Sequence, residues 1–194
     1  MCESTSFDIN KLSTLPSICN LKAHINLKGL SSCIKQLNLS LEGKEKNQVR
    51  NYIVVREKFI YTIFPRHGYI NVSNIKNWGE LLEVLPHFAN SFNVDIYQIS
   101  EQRLKVDNTT SGGHFRRQIN LVKLKELFNN NIDQQFPKAV FHYDRNRFPG
   151  AFLKSKSLGT AVLHTSGGYS IIGAKSQKDI DFIYSWMCAY IAKL

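Results

Sequence analysis

Two stretches of this chain, far apart, spell one pattern. RHGYINVSNIKNWGEL (Arg66 to Leu81) and SGGYSIIGAKSQKDI (Ser166 to Ile180) come into line when Gly68 is laid over Gly167, ninety-nine positions on. In that register FIYTIFPRHG lies over LGTAVLHTSG, YINVSNIKN over GYSIIGAKS, Lys76 over Lys175 and Leu81 over Ile180. Each copy reads as strand, glycine turn, strand, then a helix opened by a capping side chain, Asn77 or Ser176. A tight hairpin turn needs positive φ, which glycine supplies without steric cost.

The repeat extends upstream. ICNLKAHINLKGL (Ile18 to Leu30) and KVDNTTSGGHFRRQINL (Lys105 to Leu121) each read as a strand with an early asparagine, Asn20 or Asn108. Helical stretches follow, SSCIKQLNLSL and NLVKLKELFNN, and then the further strands NYIVVRE, AVFHYD and GAFLKSK. In the last helix Ile180, Ile183, Tyr184, Met187, Tyr190 and Ile191 form an apolar stripe of helical period. Its first-half partner starts the same way, but Pro86 is expected to stop or kink it. A period near a hundred residues is too long for a solenoid or propeller blade, and two copies suggest pseudo-twofold organisation. The expected fold class is α+β, an antiparallel sheet with its helices segregated to one face. The domain reading is an N-terminal extension over 1–14, a first repeat over 15–97 and a second over 98–194.

Charge narrows the partners. Twenty-five Lys and Arg against fifteen Asp and Glu give a formal net charge of +10. Residues 98–194 carry +7 of it, which points towards a polyanion. Cys2, Cys19, Cys33 and Cys188 are scattered, without the spacing of a zinc site or a disulfide framework, as suits a reducing compartment. The N-terminal MCESTSFDIN has no secretory pattern, and the apolar run FIYSWMCAYIA is too short to span a bilayer. There is no P-loop, paired-carboxylate motif or nucleophile elbow, so the chain reads as a non-enzyme with neither cofactor nor metal.

Three pieces carry a resemblance to the TATA-box-binding protein family: RFPGAFLK (Arg147 to Lys154), SGGYSIIGAKS (Ser166 to Ser176), and the two asparagine-bearing first strands. The similarity covers nearly the whole chain from about Leu15 and is stronger in the second half. It implies two direct repeats forming a saddle-shaped, curved antiparallel sheet with helices on the convex face. The implied function is a transcription initiation factor that binds and bends the minor groove of A·T-rich promoter DNA. Implied partners are that DNA, an initiation-factor-B-like protein and a multisubunit RNA polymerase, with no membrane. The implied location is the nucleus, or a cytoplasmic viral factory, since the Asn- and Lys-rich composition suits a viral gene.

The DNA-facing positions that follow are Asn20, Lys22, His24, Phe64, Asn71 and Ser73 in the first repeat. In the second they are Asn108, Thr110, Phe148, Lys154, Val162, His164, Ser170 and Ile172. Minor-groove readout is degenerate, so Asn20 and Asn108 would donate to purine N3 or pyrimidine O2. Phe148 would be a wedge between base steps, and Lys154 a phosphate contact. The bland readings stand beside these: Phe148 as core, Asn20 as a turn residue, Lys154 as a solvated strand position. Departures from the family pattern are concentrated at its wedge phenylalanines. His164 stands at one such position, Pro65 (preceded by Phe64) at another, and Tyr52 is the nearest aromatic to a third. These departures motivate an alternative function, a protein-interaction scaffold that has lost DNA bending.

Overall fold

A computed structural model describes residues 15–44, 51–130 and 139–194; the expected extension over 1–14 lies outside them. The elements in chain order are β1 (Ser17–Asn26), α1 (Ser31–Ser40), β2 (Ile53–Arg56), β3 (Ile60–Phe64), β4 (Tyr69–Ile75) and α2 (Trp78–Ser91). Two short 3-10 turns lead into β5 (Leu104–His114), α3 (Leu121–Asn130), β6 (Val140–His142), β7 (Gly150–Ser155), β8 (Gly159–His164), β9 (Gly168–Ala174) and α4 (Gln177–Ile191). The chain packs as two compact units, one of Asn20–Asn108 and one of Thr109–Leu194 with the described residues before Asn20.

In the Asn20–Asn108 unit the strand order is β2-β3-β4-β1, all antiparallel. Alternation sends Leu21, Ala23, Ile25, Tyr61, Ile63, Ile70 and Val72 to one face, where all are buried. Against them α1 packs Cys33 and Leu37, and α2 packs Val84, Leu85, Phe88 and Ala89. In the other unit the order is β5-β9-β8-β7-β6. Ala151, Leu153, Ala161, Leu163 and Ile171 face the helices there, and Phe115, Tyr169 and Tyr184 form an aromatic cluster. All six residues of the expected stripe on α4 are buried.

Both long helices start with the same reciprocal cap. Asn77 accepts from the Glu80 amide at 2.9 Å while Glu80 accepts from the Lys76 amide at 2.8 Å. Ser176 and Asp179 repeat this at 3.2 Å and 3.1 Å. A bulge is also written twice: Asn74 (φ 67°) on β4 and Gly173 (φ 85°) on β9 are the extra residues opposite β1 and β5.

Two expectations are corrected. Of the two outcomes expected at Pro86, a stop or a kink, the stop is excluded, since α2 runs on to Ser91. The missing amide would have bonded the carbonyl of Leu82, and both Pro86 and Leu82 lie on the solvent side of the helix, where water can serve that carbonyl. The expected saddle is the second: the nine-stranded antiparallel sheet is not strongly curled. Alternation fixes which side chains face the helices, whereas curvature depends on how the twist of many strands adds up, which alternation does not record.

Candidate functional site

Each unit has a sheet face that its helices leave open. In the Asn20–Asn108 unit, cross-strand register assembles that face in rows. His24 lies opposite Asn71, which lies opposite Thr62. Asn26 lies opposite Tyr69, which lies opposite Phe64, while Ser73 faces Ile60 and Ile60 faces Arg56. Asn20 and Lys22 alternate with buried Leu21 and Ala23 and so share this face. The expected residues Asn20, Lys22, His24, Phe64, Asn71 and Ser73 therefore all come to one surface. Asn108 is half-buried, and its buried side-chain oxygen has no hydrogen-bond partner among the described residues.

His24 is engaged on two sides. Its Nδ1 lies 2.7 Å from Asp107 Oδ1, and its ring stacks on Tyr69 at 4.8 Å. Burial, with a further contribution from the Asp107 charge, pushes the Tyr69 phenol above its ordinary range.

The open face of the other unit follows the same rule. Thr110, Ile172, Thr160, Lys154 and Val140 form one cross-strand row, and Gly112, Ser170, Val162, Phe152 and His142 form the next. Phe148, Lys154, Ser170, Ile172, Thr110 and His164 are at least partly exposed there. Val162 lies on the same face but is only 6% exposed, which leaves little of it for a ligand. Phe148 packs on Phe152 at 4.9 Å, and the Lys154 ammonium sits 5.5 Å from the Phe152 ring centroid.

One feature escaped the fixed ninety-nine-residue register. The β3–β4 turn is the four residues Pro65–Gly68, whereas the β8–β9 turn is the three residues Thr165–Gly167. The extra residue means that Phe64, not Pro65, takes the place of His164. Tyr52 then meets Phe64 just as Phe148 meets His164, so a pair of rings occupies the same corner of each open face. The signal was present in the turn lengths, once the strand ends were known.

The electrostatics are weaker than the total charge suggests. Among the described strand residues that the register places on the open faces, Lys22, Arg56 and Lys154 are the lysines and arginines. Arg116, Arg117, Lys123, Lys125, Arg145, Arg147 and Lys178 sit in loops and helices instead. Among the described residues no three His, Cys, Asp or Glu side chains are grouped to hold a metal, and no helix is long and apolar enough to cross a membrane.

No protein-family model matches the chain, and no curated protein does. Among solved structures, a Methanococcus jannaschii TBP matches with a TM-score of 0.62 at 17% identity, over 93% of this chain and 100% of that one. The chain thus has a distant, TBP-like fold. At that identity the likeness is one of fold.

Proposed function

We propose that this chain is a non-catalytic interaction scaffold built on a TBP-like fold, and that it does not bend DNA. The observation that carries this reading is the sheet that is not strongly curled. A duplex kinked towards its major groove needs a protein surface that follows its arc, and wedges that unstack base steps at a cost of a few kcal/mol each. Two further features support it. Few cations stand on the open faces, and each helix shows solvent one large apolar side chain: Leu39, Leu82, Val122 and Phe182. The candidate partners are an initiation-factor-B-like protein and a multisubunit RNA polymerase.

The test compares surfaces. Leu82→Glu and Phe182→Glu are expected to abolish binding to such a partner, measured by co-purification with the intact protein. Phe148→Ala and Asn108→Ala are expected to leave it unchanged. The reverse pattern would overturn the proposal.

A second reading, that the open faces hold A·T-rich duplex without kinking it, is favoured by the ring pair at the corner of each face. Binding of such a duplex that weakens steeply with salt and is lost in Asn20→Ala and Asn108→Ala would support it. No binding at low salt would remove it.

A further inference from the structure

Beside the turn that closes β3 onto β4, the Asn20–Asn108 unit holds an open hollow of about 620 Å³. That is within the range of small-molecule sites, roughly 300–1,000 Å³. Its apolar lining includes the rings of Phe64 and Tyr69, whose centroids stand 6.4 Å apart with planes tilted by 52°. The amides of Asn26 and Asn71 line it, and Lys28 and Arg66 reach it from two different turns. Asn26 Oδ1 accepts the Lys28 backbone amide at 2.9 Å, which leaves the Asn26 Nδ2 as a donor for something else. Among the described residues neither Lys28 nor Arg66 has an acidic partner.

At three equivalent positions the second repeat carries different residues. His164 stands in place of Phe64, Gly168 in place of Tyr69, and Ser170 in place of Asn71. The hollow combines planar rings, amide groups and two cations that have no acidic partner among the described residues. Rings receive a flat aromatic group, an amide matches the donor and acceptor edge of a base, and unpaired Arg and Lys bind phosphate. The Tyr69 phenol, like any tyrosine at neutral pH, is protonated and can donate a hydrogen bond.

We infer that this hollow is a binding site for a nucleotide, its base against Phe64 and Tyr69 and its phosphate between Lys28 and Arg66. The ligand is either a free mononucleotide or the 5′-phosphorylated end of a single strand. This site stands independently of the scaffold reading, because it uses one unit and no partner protein.

Isothermal titration calorimetry of the full chain tests it with AMP, adenosine, inorganic phosphate and a 5′-phosphorylated oligoadenylate. AMP or the oligoadenylate is expected to bind about tenfold or more tightly than adenosine or phosphate. Phe64→Ala, and separately the double variant Lys28→Ala with Arg66→Ala, are expected to weaken that binding about tenfold or more, with Phe64→Tyr close to wild type. Lys28 and Arg66 are exposed, so the double variant keeps the core intact. Tight AMP binding assigns a free nucleotide, and binding of the oligoadenylate alone assigns a strand end; either supports the site. Failure of both ligands to bind, phosphate matching AMP, or affinity unmoved in the double variant would overturn it.

Discussion

The rings of Tyr52 and Phe64 stand 5.8 Å apart at 60°, and Phe148 and His164 reproduce that relationship at 5.9 Å and 56° in the other unit. Edge-on ring pairs contribute about 0.5–1.5 kcal/mol beyond the area they bury. A double-mutant cycle on Tyr52→Ala and Phe64→Ala, read by urea denaturation, is expected to show coupling of that size. Additivity within about 0.3 kcal/mol would mean that the rings are neighbours without being partners.

The repeated helix caps make a second expectation. Asn77→Ala and Ser176→Ala each strand a backbone amide at the start of a long helix, and each is expected to cost about 1 kcal/mol. Asn77→Asp and Ser176→Thr should restore most of the loss. Equal stability of the alanine variants in chemical denaturation would show that the caps are decorative.

Thr109 and Ser111 on β5 are fully buried, and among the described residues their hydroxyls have no hydrogen-bond partner. Leu21 and Ala23 take the comparable inward positions on β1. A buried hydroxyl left unsatisfied costs about 1–3 kcal/mol, so Thr109→Val, which keeps the shape, is expected to stabilise the fold by about 1 kcal/mol. A loss of thermal stability in that variant would show that the hydroxyl has a use.

Stability is expected to fall in alkali. Burial, foremost, drives the phenols of Tyr61 and Tyr169 well above their ordinary value of 10.0, with added repulsion from Glu57 at Tyr61 and from Tyr184 and Cys188 at Tyr169. Above about pH 10 the unfolded chain loses tyrosine protons that the folded chain keeps, so the folded state loses ground as pH rises. Below that value the two groups contribute no slope. Tyr61→Phe should flatten the alkaline decline while costing about 1 kcal/mol at neutral pH, since Tyr61 Oη lies 3.0 Å from His87 Nδ1. Urea midpoints measured between about pH 8 and pH 11 would show the slope, and an unchanged slope in Tyr61→Phe would contradict the assignment.

Much of this was legible in the sequence, because it depends on local pattern. The caps at Asn77 and Ser176, the stripe from Ile180 to Ile191 and the alternation in β1 are matters of period and residue type. The set Asn20, Lys22, His24, Asn71 and Ser73 came from the family resemblance, and strand register is what brings these residues to one sheet face. What failed depended on tertiary context. Pro86 is tolerated because the carbonyl it leaves unbonded lies on the solvent side. Phe64 and Pro65 changed places because one turn is a residue longer than the other. Curvature was misjudged because it comes from the sum of many small strand rotations.

One measurement bears most directly on whether this fold serves as a scaffold without bending DNA. An A·T-rich duplex with a fluorescent donor and acceptor at its ends, titrated with the intact protein at low salt, reports the end-to-end distance. That distance is expected to stay at the value for free duplex even at saturating protein. A marked shortening that disappears in Phe148→Ala would contradict the proposal.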